Sequence, residues 1–165
     1  MRPNVDLDAT LGRMAEGLRV FNARKPIMIG IHTGGVWVAE RLHRLLALPE
    51  PLGNLDISFY RDDFTRVGMN PEVKASHLPA SVDERHVILV DDVLHTGRTI
   101  RAALNEIFDY GRPASVILAA LIERDGRELP IEAQVVGAKL ALAKNQHVKL
   151  LGPDPLSLVI QEVSV

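Results

Sequence analysis

The apolar positions of the chain follow two kinds of pattern. Residues 6–23 place Leu7, Leu11, Met14, Leu18 and Phe21 at spacings of three and four, the stripe of an amphipathic helix. Gly12 and Gly17 weaken that helix by up to ~1 kcal/mol each relative to alanine. PIMIGI (26–31) is a continuous apolar run after a proline and predicts a buried strand. Residues 34–48 open with glycines and then set Val36, Ala39, Leu42, Leu45 and Leu46 on one side of a helix. LDISFY (55–60) alternates and predicts a strand. Residues 61–84 sustain no period, and connections of that length are commonly lids or disordered segments. HVILVD (86–91) predicts the next strand. Residues 97–111 read as a helix stopped by Gly111, and ASVILAALIE (114–123) as a long apolar strand. Shorter β-like runs follow at 134–136, 147–151 and 157–163.

Strands apolar throughout, alternating with helices, imply an α/β fold: a mostly parallel twisted sheet covered by helices on both faces. After about residue 124 the periodicity weakens and Pro130, Pro153 and Pro155 appear, so the tail is expected to form a small appended substructure. The whole, 1–165, is read as one domain, with a core at about 6–123, a flexible lid at about 61–84 and the appended part at about 124–165.

Composition narrows the classes. With 165 residues, 47% of them hydrophobic, the chain can close one full core. A formal net charge of −2 makes nucleic acid no default partner, although a local basic face can hide in a neutral total. There is no cysteine, which removes disulfides, thiolate metal sites and cysteine nucleophiles. No apolar run approaches the ~18 residues of a membrane span, and the N-terminus lacks a signal-like apolar region. A cytoplasmic protein without membrane contact is expected.

The chemistry concentrates in HVILVDDVLHTGRTIRAAL (86–104). Asp91 and Asp92 end a buried strand, at the carboxyl edge where open parallel sheets bind ligands. The loop that follows enters a helix whose first N–H groups and dipole favour an anion. Gly97 permits close backbone approach, Thr96 and Thr99 offer hydroxyls, and Arg98 and Arg101 add positive charge. Two acids beside an anion cradle suit a ligand with a phosphate at one end and hydroxyls at the other. Carboxylates accept hydrogen bonds from ribose hydroxyls, and they can hold magnesium directly or through its waters. A carboxylate near the ring could also stabilise a cationic transition state at the anomeric carbon. The plainer alternative is that the acids only end a strand and Thr96 only caps a helix.

VILVDDVLHTGRT (87–99) closely resembles the phosphoribosyl-diphosphate motif of type I phosphoribosyltransferases. LDISFYRDDF (55–64), the run 97–131 and VVG (135–137) resemble one branch, the PyrR family: bifunctional pyrimidine-operon regulators with uracil phosphoribosyltransferase activity. The similarity runs from the first helix to about residue 150. It implies a type I phosphoribosyltransferase fold whose C-terminal segment forms a small hood. It implies conversion of uracil and phosphoribosyl diphosphate to UMP and pyrophosphate with Mg2+, a role in regulating pyrimidine genes, possible contact with RNA, and a homo-oligomer built on dimers. Carried over by position, Asp91 and Asp92 contact the ribose hydroxyls, and Val93, Leu94, His95, Thr96, Gly97, Arg98 and Thr99 wrap the 5′-phosphate. His32, Thr33, Gly34 and Gly35 belong to the pyrophosphate loop. Arg61, with Asp62 and Asp63, starts the lid and counts with Asp91 and Asp92 among the catalytic residues. Arg124 and the segment around Val148 lie near the base.

Two stretches depart from the family pattern. Well-known members read G-I-K-T-R-G in the pyrophosphate loop, where this chain has Gly30-Ile31-His32-Thr33-Gly34-Gly35. Losing a bidentate arginine there weakens diphosphate binding by on the order of 1–3 kcal/mol unless backbone N–H groups and magnesium compensate. The first-helix pattern T-R-I-A-H, implicated in RNA contact, is here Gly12-Arg13-Met14-Ala15-Glu16, which sets a carboxylate toward phosphates. A sensor that binds UMP or a phosphoribosyl ligand, with little or no catalysis, is therefore the alternative function.

Overall fold

The computed structural model describes residues 1–57 and 76–164. Helix α1 (Leu7–Leu18) continues as a 3-10 helix, Arg19–Arg24, and leads into strand β1 (Ile27–Ile31). Next come α2 (Gly34–Leu46) and the short β2 (Gly53–Leu55). The chain resumes through β3 (His86–Leu94), α3 (Arg98–Tyr110), β4 (Ser115–Arg124) and β5 (Val135–Leu140), and ends in β6 (Gln146–Leu151) and β7 (Ser157–Glu162).

The sheet has five strands in the order β2-β1-β3-β4-β5. Every pairing in it is parallel. The apolar runs are two-sided because each strand alternates between two cores. Met28, Ile88, Val90, Ala119 and Leu121 join the cluster that holds Leu11, Met14 and Leu18 of α1 and Val38 and Leu42 of α2. Ile27, Ile29, Val87, Leu89, Leu118 and Ala120 join the opposite cluster, with Ile100, Ala103 and Ile107 of α3.

That topology places the site. From β1 the chain goes outward through α2 to β2, and from β3 it goes the other way through α3 to β4. The strand order therefore reverses between β1 and β3, and their carboxyl ends leave a crevice there, the switch point where open α/β sheets bind ligands.

Several boundaries differ from the sequence reading. β2 starts two residues earlier than the strand expected at 55–60, because it pairs with the end of β1 from Ile29↔Gly53 to Ile31↔Leu55. Residues 58–60 and the lid residues Arg61, Asp62 and Asp63 lie outside the described residues. Residues 76–84, expected within the lid, pack on the body: His77 bridges to Asn54, and Val82 is buried in the α3-side core. β3 runs to Leu94 rather than ending at Asp91, since the long β4 continues to pair with it through Val93↔Ile122 and Leu94↔Glu123. The weakly periodic tail supplies β5 to the main sheet and then an antiparallel hairpin, β6-β7.

Candidate active site

Asp91 sits at the carboxyl side of β3 and is buried to 5% exposure. Its Oδ1 accepts the Asp92 N–H at 2.8 Å, and Asp92 Oδ1 accepts the Val93 N–H at 2.8 Å. Each carboxylate is thus oriented by a neighbouring backbone donor.

The start of α2 lies directly on these acids. A Cβ on Gly35 would stand 2.7 Å from the Val90 carbonyl oxygen and 3.1 Å from Asp91 Cα. One on Gly34 would stand 2.3 Å from Asp92 Oδ2. The two glycines are therefore the means by which the expected pyrophosphate loop reaches the acid pair, and a side chain at position 34 would displace Asp92. Preceding them, the His32–Thr33 peptide is cis. His32 is held in place: its N–H donates to the Leu55 carbonyl at 2.9 Å, and its Nε2 lies 2.9 Å from Asn54 Oδ1. Thr33 precedes α2 without a side-chain capping bond, whereas α1 has Asp6 accepting from the Ala9 N–H at 3.1 Å.

On the other side of the crevice, β3 turns through His95, Thr96 and Gly97 into α3. Gly97 has φ +94°, a left-handed conformation that favours glycine. It makes no side-chain cap, while Thr96 Oγ1 accepts the Arg98 N–H at 3.1 Å. Val93, Leu94, His95, Thr96, Gly97, Thr99 and Ile100 line a cavity of about 160 Å³ at this turn. All of the expected phosphate-wrapping residues except Arg98 line it. Arg98 is exposed and pairs with Glu128 at 2.7 Å. His95 is held below the ordinary histidine pKa, first by burial and then by the positive charges of Arg124, His147 and Arg127, with Glu128 opposing.

The two residues expected near the base lie in or beside the hairpin. Arg124 ends β4, buried at 5% exposure. Its Nη1 and Nη2 donate to the carbonyls of Gln146 and Ala143 at 2.6 and 3.2 Å, so the guanidinium fastens the hairpin to the sheet. Val148 lies in β6 opposite Ile160 and packs on the α1/α2-side core. Trp37 packs against the same core and against Gly152. The sequence reading does not single out Glu123, Arg127 or Asn54; the charged run RDGREL (124–129) is a signal for Arg127, and Glu123 and Asn54 lie just outside the runs at 124–129 and 55–60.

An acid pair and an anion turn thus lie at the carboxyl end of β3, beside the switch point. The family model "Phosphoribosyl transferase domain" matches residues 9–151. A "Bifunctional protein PyrR" from Nitrosococcus oceani is 63% identical over 166 residues, covering 97% of this chain and 94% of the relative. This chain belongs to the PyrR family. Another PyrR, from Pseudomonas paraeruginosa, is 58% identical over 152 residues, covering 90% of this chain and 89% of its own. Among solved structures, the hypoxanthine phosphoribosyltransferase of Trypanosoma cruzi superposes with TM-score 0.70 at 20% identity, covering 96% of this chain and 93% of that one. A purine phosphoribosyltransferase from Pyrococcus horikoshii gives TM-score 0.63 at 25% identity, covering 82% and 86%. The chain thus keeps the type I phosphoribosyltransferase fold, and its acid pair and anion turn fall inside the matched region. No helix among the described residues is long and apolar enough to cross a membrane.

Proposed function

We propose that the protein transfers the phosphoribosyl group of phosphoribosyl diphosphate to uracil, giving UMP and pyrophosphate. The observation that carries this reading is the convergence of Asp91 and Asp92, the glycine start of α2 and the turn 95–97 on one crevice. The turn and the first N–H groups of α3 would bind the 5′-phosphate. Asp91 and Asp92 would accept from the ribose hydroxyls and favour the positive charge that builds on the sugar as the anomeric bond to diphosphate breaks. His32, Thr33, Gly34 and Gly35 would present backbone donors to the leaving diphosphate. Arg61 would belong to a lid, begun with Asp62 and Asp63, that excludes competing water. The hairpin bearing Val148, pinned by Arg124, would cover the base.

Among the described residues no three carboxylate or imidazole groups converge as a metal cage. Asp91 and Asp92 would be the protein's carboxylates for a magnesium that takes most of its ligands from phosphates and water. When bound it would offset charge on the leaving diphosphate.

The name borne by the relatives, "Bifunctional protein PyrR", supports a second role, control of pyrimidine genes through RNA. Arg13, Arg19, Arg24 and Lys25 are exposed along the first helix and its extension and would form the RNA face. Glu16 is paired with Arg19 at 2.8 Å, which tempers its repulsion of phosphates. The reading includes a cytoplasmic homo-oligomer built on dimers, to which exposed Val20 and Leu45 would contribute apolar contact.

UMP formation from uracil, phosphoribosyl diphosphate and magnesium tests the enzyme. Activity abolished by Asp91→Asn/Asp92→Asn establishes it. An inactive parent protein that still binds UMP would instead establish the sensor.

A further inference from the structure

The charged turn after β4 remains without a role in this chemistry, yet it makes the densest set of bonds to the anion loop. The Arg127 guanidinium spreads over three acceptors. Its Nε donates to the Ile131 carbonyl at 2.9 Å, its Nη2 to Glu123 Oε1 at 2.8 Å, and its Nη1 to the His95 carbonyl. The N–H groups of Glu128 and Leu129 both donate to the Thr96 carbonyl, at 2.9 and 3.1 Å. Glu123 is itself anchored in β4, in register with Leu94 at the end of β3. Two glycines let the segments touch. A Cβ on Gly126 would stand 2.7 Å from His95 Nε2, and one on Gly97 3.1 Å from Ile131 Cγ1.

We propose that Arg127, anchored by Glu123, is a positioning residue that sets the anion loop for the 5′-phosphate. The carbonyl and N–H of a trans peptide point in opposite directions. Arg127 holds the His95 carbonyl, and Glu128 and Leu129 hold the Thr96 carbonyl, toward the 123–131 turn. On this reading the N–H groups of Thr96 and Gly97 turn to the other side, toward the cavity, which the loop residues line and Arg127, Glu128 and Leu129 do not. Successive N–H groups fixed in this way, with Gly97 left-handed, form an anion nest. A loop left to itself would expose a mixture of carbonyls and N–H groups to the phosphate. The guanidinium fork suits the task because its planar donors reach several acceptors at once, which an ammonium cannot do.

This inference rests on the transferase reading, and UMP against uridine separates the two. Both ligands share base and ribose, and only UMP carries the phosphate. In Arg127→Ala, UMP affinity should fall on the order of ten- to a hundredfold, as misplaced binding groups generally cost, while uridine affinity holds. KM for phosphoribosyl diphosphate should rise more than kcat falls. Arg127→Lys, which keeps the charge but not the fork, should show the same split in smaller measure and serves if the alanine variant does not fold. Parallel weakening of UMP and uridine, or no change in either, overturns the positioning role. A parent protein that does not prefer UMP to uridine overturns the transferase reading and this inference with it.

Discussion

Gly34 and Gly35 are adjacent and chemically identical, yet they answer to different neighbours. A methyl at 35 meets main-chain atoms, the Val90 carbonyl and Asp91 Cα, while a methyl at 34 meets the Asp92 carboxylate. Backbone yields less easily than a side chain. Gly35→Ala should therefore lower stability by about 1–3 kcal/mol, the usual cost of overpacking, measurable by denaturant titration. Gly34→Ala should leave stability nearly intact and reduce turnover by moving Asp92. A second residue-scale test concerns Glu106. Burial, with Asp56 and Asp109 nearby, raises its carboxyl above the ordinary range against the opposing hydrogen bond from Ser76, donated at 2.6 Å. A carboxyl raised by folding contributes stability when protonated and loses it as pH climbs from the ordinary carboxylate pKa through the folded one. Glu106→Gln should raise Tm at neutral pH and flatten that loss. His95 has the opposite sense. Its folded pKa is lowered, so the folded state loses stability as pH falls through the ordinary histidine value of about 6.5. Thermal melts from pH 8 to 5 should show a loss that His95→Gln diminishes.

At the scale of elements, the hairpin β6-β7 is separate from the main sheet, and Arg124 ties it there through main-chain carbonyls. Elements held by few bonds open locally before the core does. In Arg124→Met, amide hydrogen exchange across 146–151 should accelerate while β1 and β3 stay protected. Equal acceleration in all of them would mean that Arg124 supports the fold as a whole and not the hairpin. Sequence periodicity finds each helix and each long strand, but it places strand ends poorly here. Val93 and Leu94 resemble loop residues on paper and become strand only because β4 is long enough to pair with them.

At the scale of the molecule, the crevice joins two separate stretches of chain, 32–35 and 91–97. A ligand that bridges them should stabilise the whole domain. At a UMP concentration of 100 Kd the gain is ~2.7 kcal/mol, which for a chain of this size raises Tm by roughly 5–10 °C. Uracil, lacking both ribose and phosphate, should produce a much smaller shift at equal concentration.

What the sequence determined by itself was local. Hydrophobic spacing specified helices and strands, the two-sided apolar runs called for a covered parallel sheet, and the run of Asp91, Asp92 and the turn to Thr99 marked the candidate site, because these residues are contiguous. Tertiary structure decided whatever depends on partners distant in the chain. Only the reversal of strand order brings Gly34 against Asp92. Only the parallel pairing of β3 and β4 carries Glu123 beside Leu94 and sets Arg127 on the His95 carbonyl. In the sequence RDGREL is a run of charges whose partners are unspecified. Its two arginines, Arg124 and Arg127, acquire different tasks because one meets the hairpin and the other the anion loop, and a main-chain carbonyl as acceptor leaves no mark on residue type.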